Sequence, residues 1–392
     1  MSKHEEFIKF IKYFLIIGGL WPFEFTKNRL YQKVYRCYAR IQTYSYVTVI
    51  LSLIINLCIL IVKHNQMTRL FSSINVLIIT LETCVKILIF QVKKIPNMCL
   101  DISINEGLIK NSKDEEVVKC YWKQVSYCRK VNFWQFVATL LACICFTLVH
   151  FLEMFASPDL SLYKDQPFMH DMWYPFAREK HMNLVIFFNL IFVNQGIVFN
   201  TATQTTFICL MIYSSARLKI LQIQLRKFDE VAKDNGGDVL ETVKNLIVEH
   251  QVLIGFVKSL NEKTNYVMLL EFVLNSISLA SGTIQLVVIN SITGFLSVGS
   301  IILLVVVQIF ILAWSANEIT VEGLGIADAI CASNWNDQSP KVQKLFIIMI
   351  LRAQKPLGLT AGPFFQMTTK TALMTLKVAY SYISLMMQNY EN

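Results

Sequence analysis

A line of polar side chains runs along the last helical segment of this sequence, where the neighbouring residues are apolar. At about 100° per residue of helix, one side of the helix carries Gln366, Lys370, Lys377, Ser381, Ser384 and Gln388. Hydroxyl, amide and ammonium groups are costly in hydrocarbon but not beside water. This polar line could therefore border a water-filled path. Alternatively, it could pack against helices of the same subunit, with the lysines reaching toward lipid head groups.

Other residues that could do chemistry form no recognised site. His170, Asp171, Glu179 and His181 are close in sequence, but their spacing matches no metal site. No nucleophile, metal-binding box or phosphate loop stands out. We therefore predict that the protein is not an enzyme and that it uses no metal and no cofactor.

A polar pair, Glu82 and Lys86, lies inside an otherwise apolar segment. The two residues are four apart, so on a helix they share one face in the order that favours ion pairing. They could form a structural ion pair or part of a polar cavity, and the structural role is the favoured interpretation.

The composition of the whole chain is typical of a membrane protein. Of its 392 residues, 54% are hydrophobic and only 16% are charged, and the mean hydropathy is +0.48. The net charge of +9 could suggest nucleic acid binding, but the basic residues are not gathered in one patch. We predict an all-α membrane protein with seven transmembrane helices, embedded in a lipid bilayer, with no nucleic acid partner.

The basic residues are distributed unevenly between the two sides of the predicted spans. Most of the 36 lysines and arginines fall on the side that holds the amino terminus, and basic loops face the cytosol. The amino terminus is therefore predicted to be cytosolic and the carboxyl terminus extracellular.

The predicted spans belong to a single domain over residues 1–392. They are 41–62, 70–92, 131–152, 182–216, two helices within 272–317 that turn near 290–294, and a last helix starting near Phe364. The glycines and proline of 357–363 split the last helix into a cytosolic part and a pore-lining part. The named parts of the domain are a cytosolic amino-terminal segment (1–40), a cytosolic helical hairpin (215–265), a cytosolic assembly helix (341–355) and a pore helix (363–388).

Two further segments are distinguished by their composition. Residues 7–20 predict a cytosolic helix at the membrane interface that is ended by Trp21 and Pro22. The outer loop, residues 155–181, is rich in proline, aspartate and aromatic residues and is long enough to have a function. It could cover a binding pocket or only fold over the ends of the helices.

Three motifs occur in order along the chain. They are GGLWPF at 18–23, SANEITVEGLGIADAICASNW at 315–335, and RAQKPLGLTAGPFF at 352–365 followed by KVAYSYISLMMQ at 377–388. Together they resemble the insect odorant receptors. The resemblance implies a seven-helix subunit of an odour-gated cation channel, in a heterotetramer with a shared co-receptor, in the plasma membrane of olfactory sensory neurons. It implies the odour-tuned subunit, because the chain lacks the long insertion between spans four and five that marks co-receptors.

In that family the last helices of the four subunits together surround a central pore. The resemblance implies an apolar constriction near Leu385, which can close a pore by dewetting, and an outer glutamine at Gln388. The implied pore residues are Lys370, Lys377, Ser381, Ser384, Leu385, Gln388 and Asn389. Because the two lysines oppose cation entry, this chain alone is predicted to conduct poorly or not at all.

The resemblance also implies a ligand pocket in the outer half of the bundle, among spans two, three, four and six. Mapped by position, its lining would be Leu77, Ile78, Cys143, Phe146, Thr147, His150, Phe187, Phe188, Ile191, Phe192, Gln195, Phe295 and Val298. Most of these are apolar or aromatic. Such a lining suits a small volatile hydrophobic ligand that is held mainly by burial, at about 25 cal/mol per Å².

Three alternatives remain open at this stage. A gustatory receptor shares the architecture and a related closing motif, although the RAQKPL run and the Ser-Tyr pair at 381 and 382 favour the olfactory branch. A G-protein-coupled receptor has the opposite orientation, and the chain has neither a DRY-type triplet after span three nor NPxxY in the last span. A secondary transporter predicts inverted repeats with paired broken helices, whereas the sequence shows one broken helix and no repeat.

Overall fold

The computed structural model describes residues 6–22, 28–62, 67–112, 114–156, 169–234, 237–289 and 291–390. The helices in these ranges are α1 (Lys9–Ile17), α2 (Arg29–Val62), α3 (Met67–Val92), α4 (Ile95–Lys110), α5 (Glu115–Ala156), α6 (Met182–Arg226), α7 (Phe228–Asp234), α8 (Val239–Val288), α9 (Ile292–Cys331), α10 (Pro340–Ala353) and α11 (Thr369–Tyr390). Two short strands, β1 (Thr360–Ala361) and β2 (Phe365–Gln366), pair antiparallel between α10 and α11.

The helices form a multi-span membrane bundle. Among the described residues, six helices are long and apolar enough to cross a membrane, namely α2, α3, α5, α6, α8 and α9. The 22 residues of α11 are enough to cross, but its lysines and hydroxyl side chains lower its hydropathy. The predicted all-α membrane fold is confirmed, whereas the orientation of the termini remains a prediction. The helix α4 was not expected from the sequence.

The central element is α6, which packs against α1, α3, α5, α8 and α9. Its 45 residues span about 68 Å at 1.5 Å per residue, whereas the hydrocarbon core of a bilayer is about 30 Å thick. All residues of 201–216 are buried. Three of the threonine hydroxyls in this stretch are satisfied locally, because Thr203, Thr205 and Thr206 each donate to the carbonyl four residues earlier. A helix with this many polar residues can therefore be enclosed on all sides.

Beyond this buried stretch, the end of α6 and the start of α8 run antiparallel. Arg217 Nη2 lies 2.7 Å from Glu249 Oε1, and the rings of Tyr213 and Phe256 are 5.8 Å apart. Residues earlier in α6 therefore contact residues later in α8, as expected for antiparallel helices, and α7 lies between the two in the chain. Residues 215–265 thus form a helical hairpin in the structure, and its location in the cytosol remains a prediction.

A buried ionic cluster joins three spans. The ammonium of Lys86 lies 2.7 Å from Glu82 on α3, 3.2 Å from Glu271 on α8 and 2.9 Å from the Gln204 amide oxygen on α6. The amide nitrogen of Gln204 in turn donates to Glu271 at 3.1 Å. A single buried lysine therefore stabilises two carboxylates, and removing it would leave both charges without their counter-ion. This geometry supports the structural role proposed for the Glu82–Lys86 pair.

The amino-terminal helix packs into the bundle. Ile8, Ile11 and Leu15 are fully buried, and α1 contacts α5 and α6. The polar face of the helix remains exposed. The predicted helix therefore exists, but it is part of the core and does not lie alone on the membrane surface.

The GGLWPF motif ends α1 and allows a close approach to α2. The Gly18 amide donates to the Phe14 carbonyl at 2.8 Å, and Gly19 adopts a φ of 70°. A Cβ atom on Gly19 would lie 2.7 Å from the Ala39 Cα. The expectation that Trp21 and Pro22 end the helix is therefore wrong, because the glycines end it at Ile17 through the left-handed backbone that glycine adopts at low cost.

The break before the last helix is a small hairpin. Thr360 pairs with Gln366 and Ala361 with Phe365, around Gly362 at a φ of 59°. The last helix begins at Thr369, so the predicted start near Phe364 is wrong. The reason is that the backbone amides of this segment bond to α8, with Thr360 N donating to Asn261 Oδ1 at 2.8 Å.

We expect Gly19→Ala to destabilise the protein by about 1–3 kcal/mol, because a methyl group would need the space of Ala39 and a strained backbone. Thermal melting of the purified protein in detergent should show a Tm several degrees lower. Gly255→Ala is the control, since Gly255 lies within α8 and a Cβ atom added there would meet nothing within 4 Å, and helix propensity favours alanine there. Equal losses in both variants would contradict a specific role for the close approach.

Candidate functional site

The last helix has one face packed against its own subunit and one face free. Ala372, Thr375 and Ala379 are buried, and α11 packs against α8 and α9. Lys370, Lys377, Ser381 and Ser384 are exposed. At about 100° per residue, these four lie about half a turn around the helix from the buried three.

Lys370, Lys377, Ser381 and Ser384 therefore do not pack within the subunit, as the alternative interpretation had them. Within the described residues, neither Lys370 nor Lys377 has an ion-pair partner, and α11 has no acidic residue in its first turn. Gln366 is not on the helix, because it belongs to β2, and its amide donates to Thr320 at 3.1 Å. The side chains of Leu385, Gln388 and Asn389 lie outside the described part of the structure, so their place in a pore remains a prediction.

A second feature is a cavity of about 940 Å³ beneath the outer loop. Its walls come from α2, α3, α5, the end of α8, the start of α9 and residues 169–179 of the loop. The lining residues are Asn56, Ile59, Leu60, Arg69, Ser72, Ser73, Asn75, Val76, Ile79, Phe146, Val149, His150, Glu153, Met169, Asp171, Trp173, Phe176, Ala177, Arg178, Glu179, Gln285, Ile289, Gly294, Ser297, Val298 and Ile301. Polar and apolar side chains contribute in similar numbers, so the cavity is more polar than the predicted pocket.

The described part of the outer loop is fixed over this cavity by Asp171. The carboxylate of Asp171 accepts two hydrogen bonds from Arg69 on α3, at 2.6 and 3.0 Å. Arg178 lies 3.5 Å from the same carboxylate and donates to Asn56 on α2 at 3.3 Å. The Asp171 side chain is only 6% exposed, and bidentate pairs of this kind are strong and directional. The described part of the loop therefore lines and covers the cavity, and its role as the cover of a ligand pocket remains a prediction.

Two further contacts hold the loop to the bundle. Ser52 on α2 and Trp173 exchange hydrogen bonds, with the Ser52 hydroxyl donating to the Trp173 carbonyl at 2.8 Å. The amide of Asn189 on α6 donates to the Tyr174 hydroxyl at 2.9 Å. Burial raises the pKa of Tyr174 to about 12, so the phenol stays protonated at physiological pH. The loop is thus attached to α2, α3 and α6 at separate points.

Aromatic rings line the side of the cavity nearest α5. Phe146 stacks on His170 at 4.9 Å and contacts His150 at 4.4 Å. Burial, with a smaller effect of His150, lowers the pKa of His170 to about 3. The His170 ring is therefore neutral near pH 7 and stacks behind Phe146 as an uncharged aromatic ring.

Three of the predicted ligand residues line the cavity, namely Phe146, His150 and Val298. The other ten do not line it: Leu77, Ile78, Cys143, Thr147, Phe187, Phe188, Ile191, Phe192, Gln195 and Phe295. No residue of α6 contributes to the lining, whereas α2, which was not in the predicted set of spans, does. As ligand contacts, the ten remain predictions.

The structure gives several of these residues other contacts. Phe187 and Phe295 are 56% and 54% exposed, on the outer surface of the bundle. Phe192 is buried against Tyr46 and His170. Gln195 donates to the Gln42 side chain at 2.8 Å and so ties α6 to α2. Phe and Ile face lipid as readily as they face a pocket, so the sequence could not separate these roles.

The lining residues that were not expected from the sequence are mostly polar. They include Arg69 and Asp171, which are 102 positions apart in the chain, and Gln285 at the end of α8. One usable signal is present, since Arg69 immediately precedes the predicted span 70–92 at its outer end and the loop contains acidic residues that could pair with it. The pairing itself depends on the fold.

Comparison with known proteins assigns the chain to a family. The family model described as 7tm Odorant receptor matches residues 66–380. The chain belongs to the 7tm Odorant receptor family. The chain is thus a multi-pass membrane protein of a ligand-sensing family and not an enzyme. This membership sets aside the gustatory receptor, G-protein-coupled receptor and transporter alternatives.

Individual members of the odorant receptor family are moderately similar to this chain. Odorant receptor 10 of Aedes albopictus is 30% identical over 186 residues, which is 47% of this chain and 49% of that protein. Odorant receptor Or2 of Anopheles gambiae is 31% identical over 156 residues, 40% of this chain and 41% of that protein. In both cases the chain spans less than half the length of the relative that it matches.

The fold is shared over the whole chain with a solved odorant receptor. The structure of the olfactory receptor OR5 from Machilis hrabei in complex with eugenol superposes with a TM-score of 0.82, covering 98% of each chain at 19% identity. At this identity the similarity establishes the fold alone.

We expect Asp171→Asn to weaken ligand binding, because it removes the charge that holds Arg69 and Arg178 and loosens the loop over the cavity. Hydrogen bonds to charged groups are worth about 1.5–3 kcal/mol, so the agonist concentration for half-maximal response should rise by up to about 10- to 150-fold. The measurement is a dose–response curve for agonist-evoked current in cells. Glu179→Gln is the control, since Glu179 lines the same cavity but has no ion pair within the described residues. An unchanged curve for Asp171→Asn would contradict the role of the loop as a cover.

Proposed function

We propose that this chain is the odorant-binding subunit of a ligand-gated non-selective cation channel. It assembles with co-receptor subunits into a heterotetramer in the plasma membrane of olfactory sensory neurons. A small volatile molecule binds in the cavity under the outer loop and opens a central pore bordered by α11. The observation that carries this proposal is the exposure of the polar line on the face of α11 opposite its packed face.

The depth of Lys377 supports a water-filled surrounding for the polar line. Lys377 is eight residues after the start of α11 at Thr369, or about 12 Å along the helix. An ammonium at that depth is costly in hydrocarbon, and it has no partner in its own subunit within the described residues. A pore between subunits would hydrate it.

Exposed apolar residues flank the polar line on both sides. Leu373 and Tyr380 lie on one side of it and Met374 and Val378 on the other, each between 44% and 71% exposed. Such flanks suit contact with the corresponding helices of neighbouring subunits. The helix thus has a packed face, two apolar flanks and a polar edge, as expected for one of several helices around a pore.

The helix α10 supports assembly outside the membrane. Its buried face packs on the same subunit, with the rings of Phe346 and Phe228 5.0 Å apart. Its other face exposes Ile347, Ile348 and Leu351 by 46%, 63% and 58%. If this end of the bundle is cytosolic, as the charge distribution predicts, the apolar patch requires a protein partner.

The cavity supports binding of a small molecule with both an apolar body and a hydrogen-bonding group. Its volume of about 940 Å³ falls within the range of about 300–1,000 Å³ that is usual for such sites. The apolar wall includes Ile59, Val76 and Phe146, whereas Asn56 and Gln285 offer amides. The related fold of OR5 was solved in complex with eugenol. The ligand must bind the open arrangement more tightly than the closed one, because equal affinity shifts no equilibrium.

The assembly proposal is tested by expressing the chain with and without an insect odorant co-receptor. We expect odour-evoked cation current only when both are present, because the lysines on α11 of this subunit oppose cation entry when every subunit carries them. A substantial evoked current from cells that express this chain alone would contradict the heteromeric pore.

The same cells test the pore-facing edge directly. Ser384→Cys should react with an aqueous positively charged thiol reagent and change the current, whereas Thr375→Cys should be inert because Thr375 is 5% exposed on the packed face. The unmodified chain, which has ten cysteines of its own, gives the background. An inert Ser384→Cys in both resting and stimulated channels would contradict the proposal.

The ligand site is tested with two phenylalanines that the sequence places equally in the pocket. Phe146→Ala should raise the agonist concentration for half-maximal response by about tenfold, because a ring that lines the cavity is lost. Phe187→Ala should change it by less than about twofold, because that ring lies on the outer surface. Agonist dose–response curves measure both. The reverse order of effects would place the ligand elsewhere in the bundle.

A further inference from the structure

Lys370 and Lys377 form two positively charged positions at different depths on one edge of α11. They are seven residues apart, so they share a side of the helix and are separated by about 10.5 Å along its axis. Both side chains are exposed, as are Ser381 and Ser384 further along the same edge. Among the described residues of α11 there is no acidic side chain.

The surroundings of the helix start do not neutralise this charge. The start of α11 at Thr369 has no acidic residue in its first turn, and a free helix amino terminus adds about half a unit of positive charge. On α9, Glu318 and Glu322 flank the Thr320 that bonds to β2, but both carboxylates lie within 3.4 Å of Lys219. On α8, the hairpin is bonded by the neutral Asn261 and by the Asn265 carbonyl.

We infer that Lys370 and Lys377 make this subunit discriminate against divalent cations, so that it lowers the calcium permeability of the channel relative to its sodium permeability. This inference rests on the proposed function, because it needs α11 to border the pore. The electrostatic barrier that a lysine presents is proportional to the charge of the passing ion. A calcium ion therefore meets twice the barrier that a sodium ion meets, at each of the two depths.

The size of the effect follows from Coulomb's law. A unit charge about 6 Å from a passing ion in water repels a monovalent cation by roughly the thermal energy, and salt at physiological strength screens about half of this. Because the divalent ion feels twice the repulsion of the monovalent ion, the ratio changes by one screened monovalent repulsion, so removing one lysine changes the permeability ratio by about 1.5- to twofold. Removing both should multiply the two effects, because the positions are farther apart than a Debye length of about 8 Å.

The test measures reversal potentials in cells that express the chain with a co-receptor, under external calcium and then external sodium. Channels are opened with a fixed mixture of volatile alcohols, esters and phenols. Lys370→Gln and Lys377→Gln should each raise the calcium-to-sodium permeability ratio by about 1.5- to twofold. Lys370→Arg and Lys377→Arg should leave it unchanged, since the charge is kept. Lys119→Gln on the exposed side of α5 is the control for loss of one charge away from the pore.

A second measurement does not depend on comparing differently expressed variants. Lys377→Cys should show a raised ratio that returns to the wild-type value when the same cell is treated with a positively charged thiol reagent. A neutral thiol reagent of similar size should not restore it. The unmodified chain, treated in the same way, controls for the native cysteines.

The outcomes separate this inference from the proposed function. If Ser384→Cys reacts and the double glutamine variant keeps the wild-type permeability ratio, the lysines do not act on divalent ions although α11 borders the pore. If Ser384→Cys and Lys377→Cys are both inert, α11 does not border the pore and both proposals are wrong. If the charge-preserving arginine variants raise the ratio as much as glutamine, the effect is one of size and the inference is wrong.

Discussion

Buried charges inside a membrane bundle need a counter-charge or polar partner, and that requirement constrains how the helices of this bundle are arranged. Lys86 shows it most directly. Its ammonium is buried among Glu82, Gln204 and Glu271, so α3, α6 and α8 must lie side by side at one depth. Asp171 imposes the same condition at the outer end, where it fixes the loop to Arg69. Lys370 and Lys377 on the exposed edge of α11 have no ion-pair partner among the described residues, which is why this edge indicates water or another chain.

The sequence predicts where the helices are, but it does not predict which side of each helix contacts which neighbour. Long apolar runs predicted the spans, and a period of 3.6 residues predicted the polar line on α11, which the structure leaves on the exposed side. Pairing at a separation of four residues was enough to expect the contact between Glu82 and Lys86. The third and fourth members of that cluster could not be expected, because they come from helices that are distant in the chain. The hairpin before α11 was missed for the same reason, since its bonds go to Asn261 and Asn265 on α8.

The cavity beneath the outer loop was the least predictable part. An apolar side chain on a membrane helix can face lipid, another helix or a cavity at similar cost, so Phe146 and Phe187 look alike in the sequence although one lines the cavity and the other is 56% exposed. The polar lining residues are easier to predict from the sequence, because a charged side chain at or inside a span needs a partner of opposite charge. Arg69 and Asp171 were visible as charges near the outer helix ends. Their pairing depends on the rotation of α3 and the path of the loop, which only the fold determines.

Two helices connect the cavity with the last helix. At its outer end α8 lines the cavity through Gln285, and about 30 Å away along the helix Asn265 bonds to Gly362 at 2.8 Å. In the same way α9 lines the cavity through Val298 and contacts β2 through Thr320. Because a packed helix moves as a rigid element, a ligand that changes the spacing of α8 and α9 at the cavity also displaces the segment that starts α11. In the proposed channel only the ligand's preference for one spacing supplies the free energy for that displacement, so ligand affinity at the cavity and pore opening would be two measures of the same coupling.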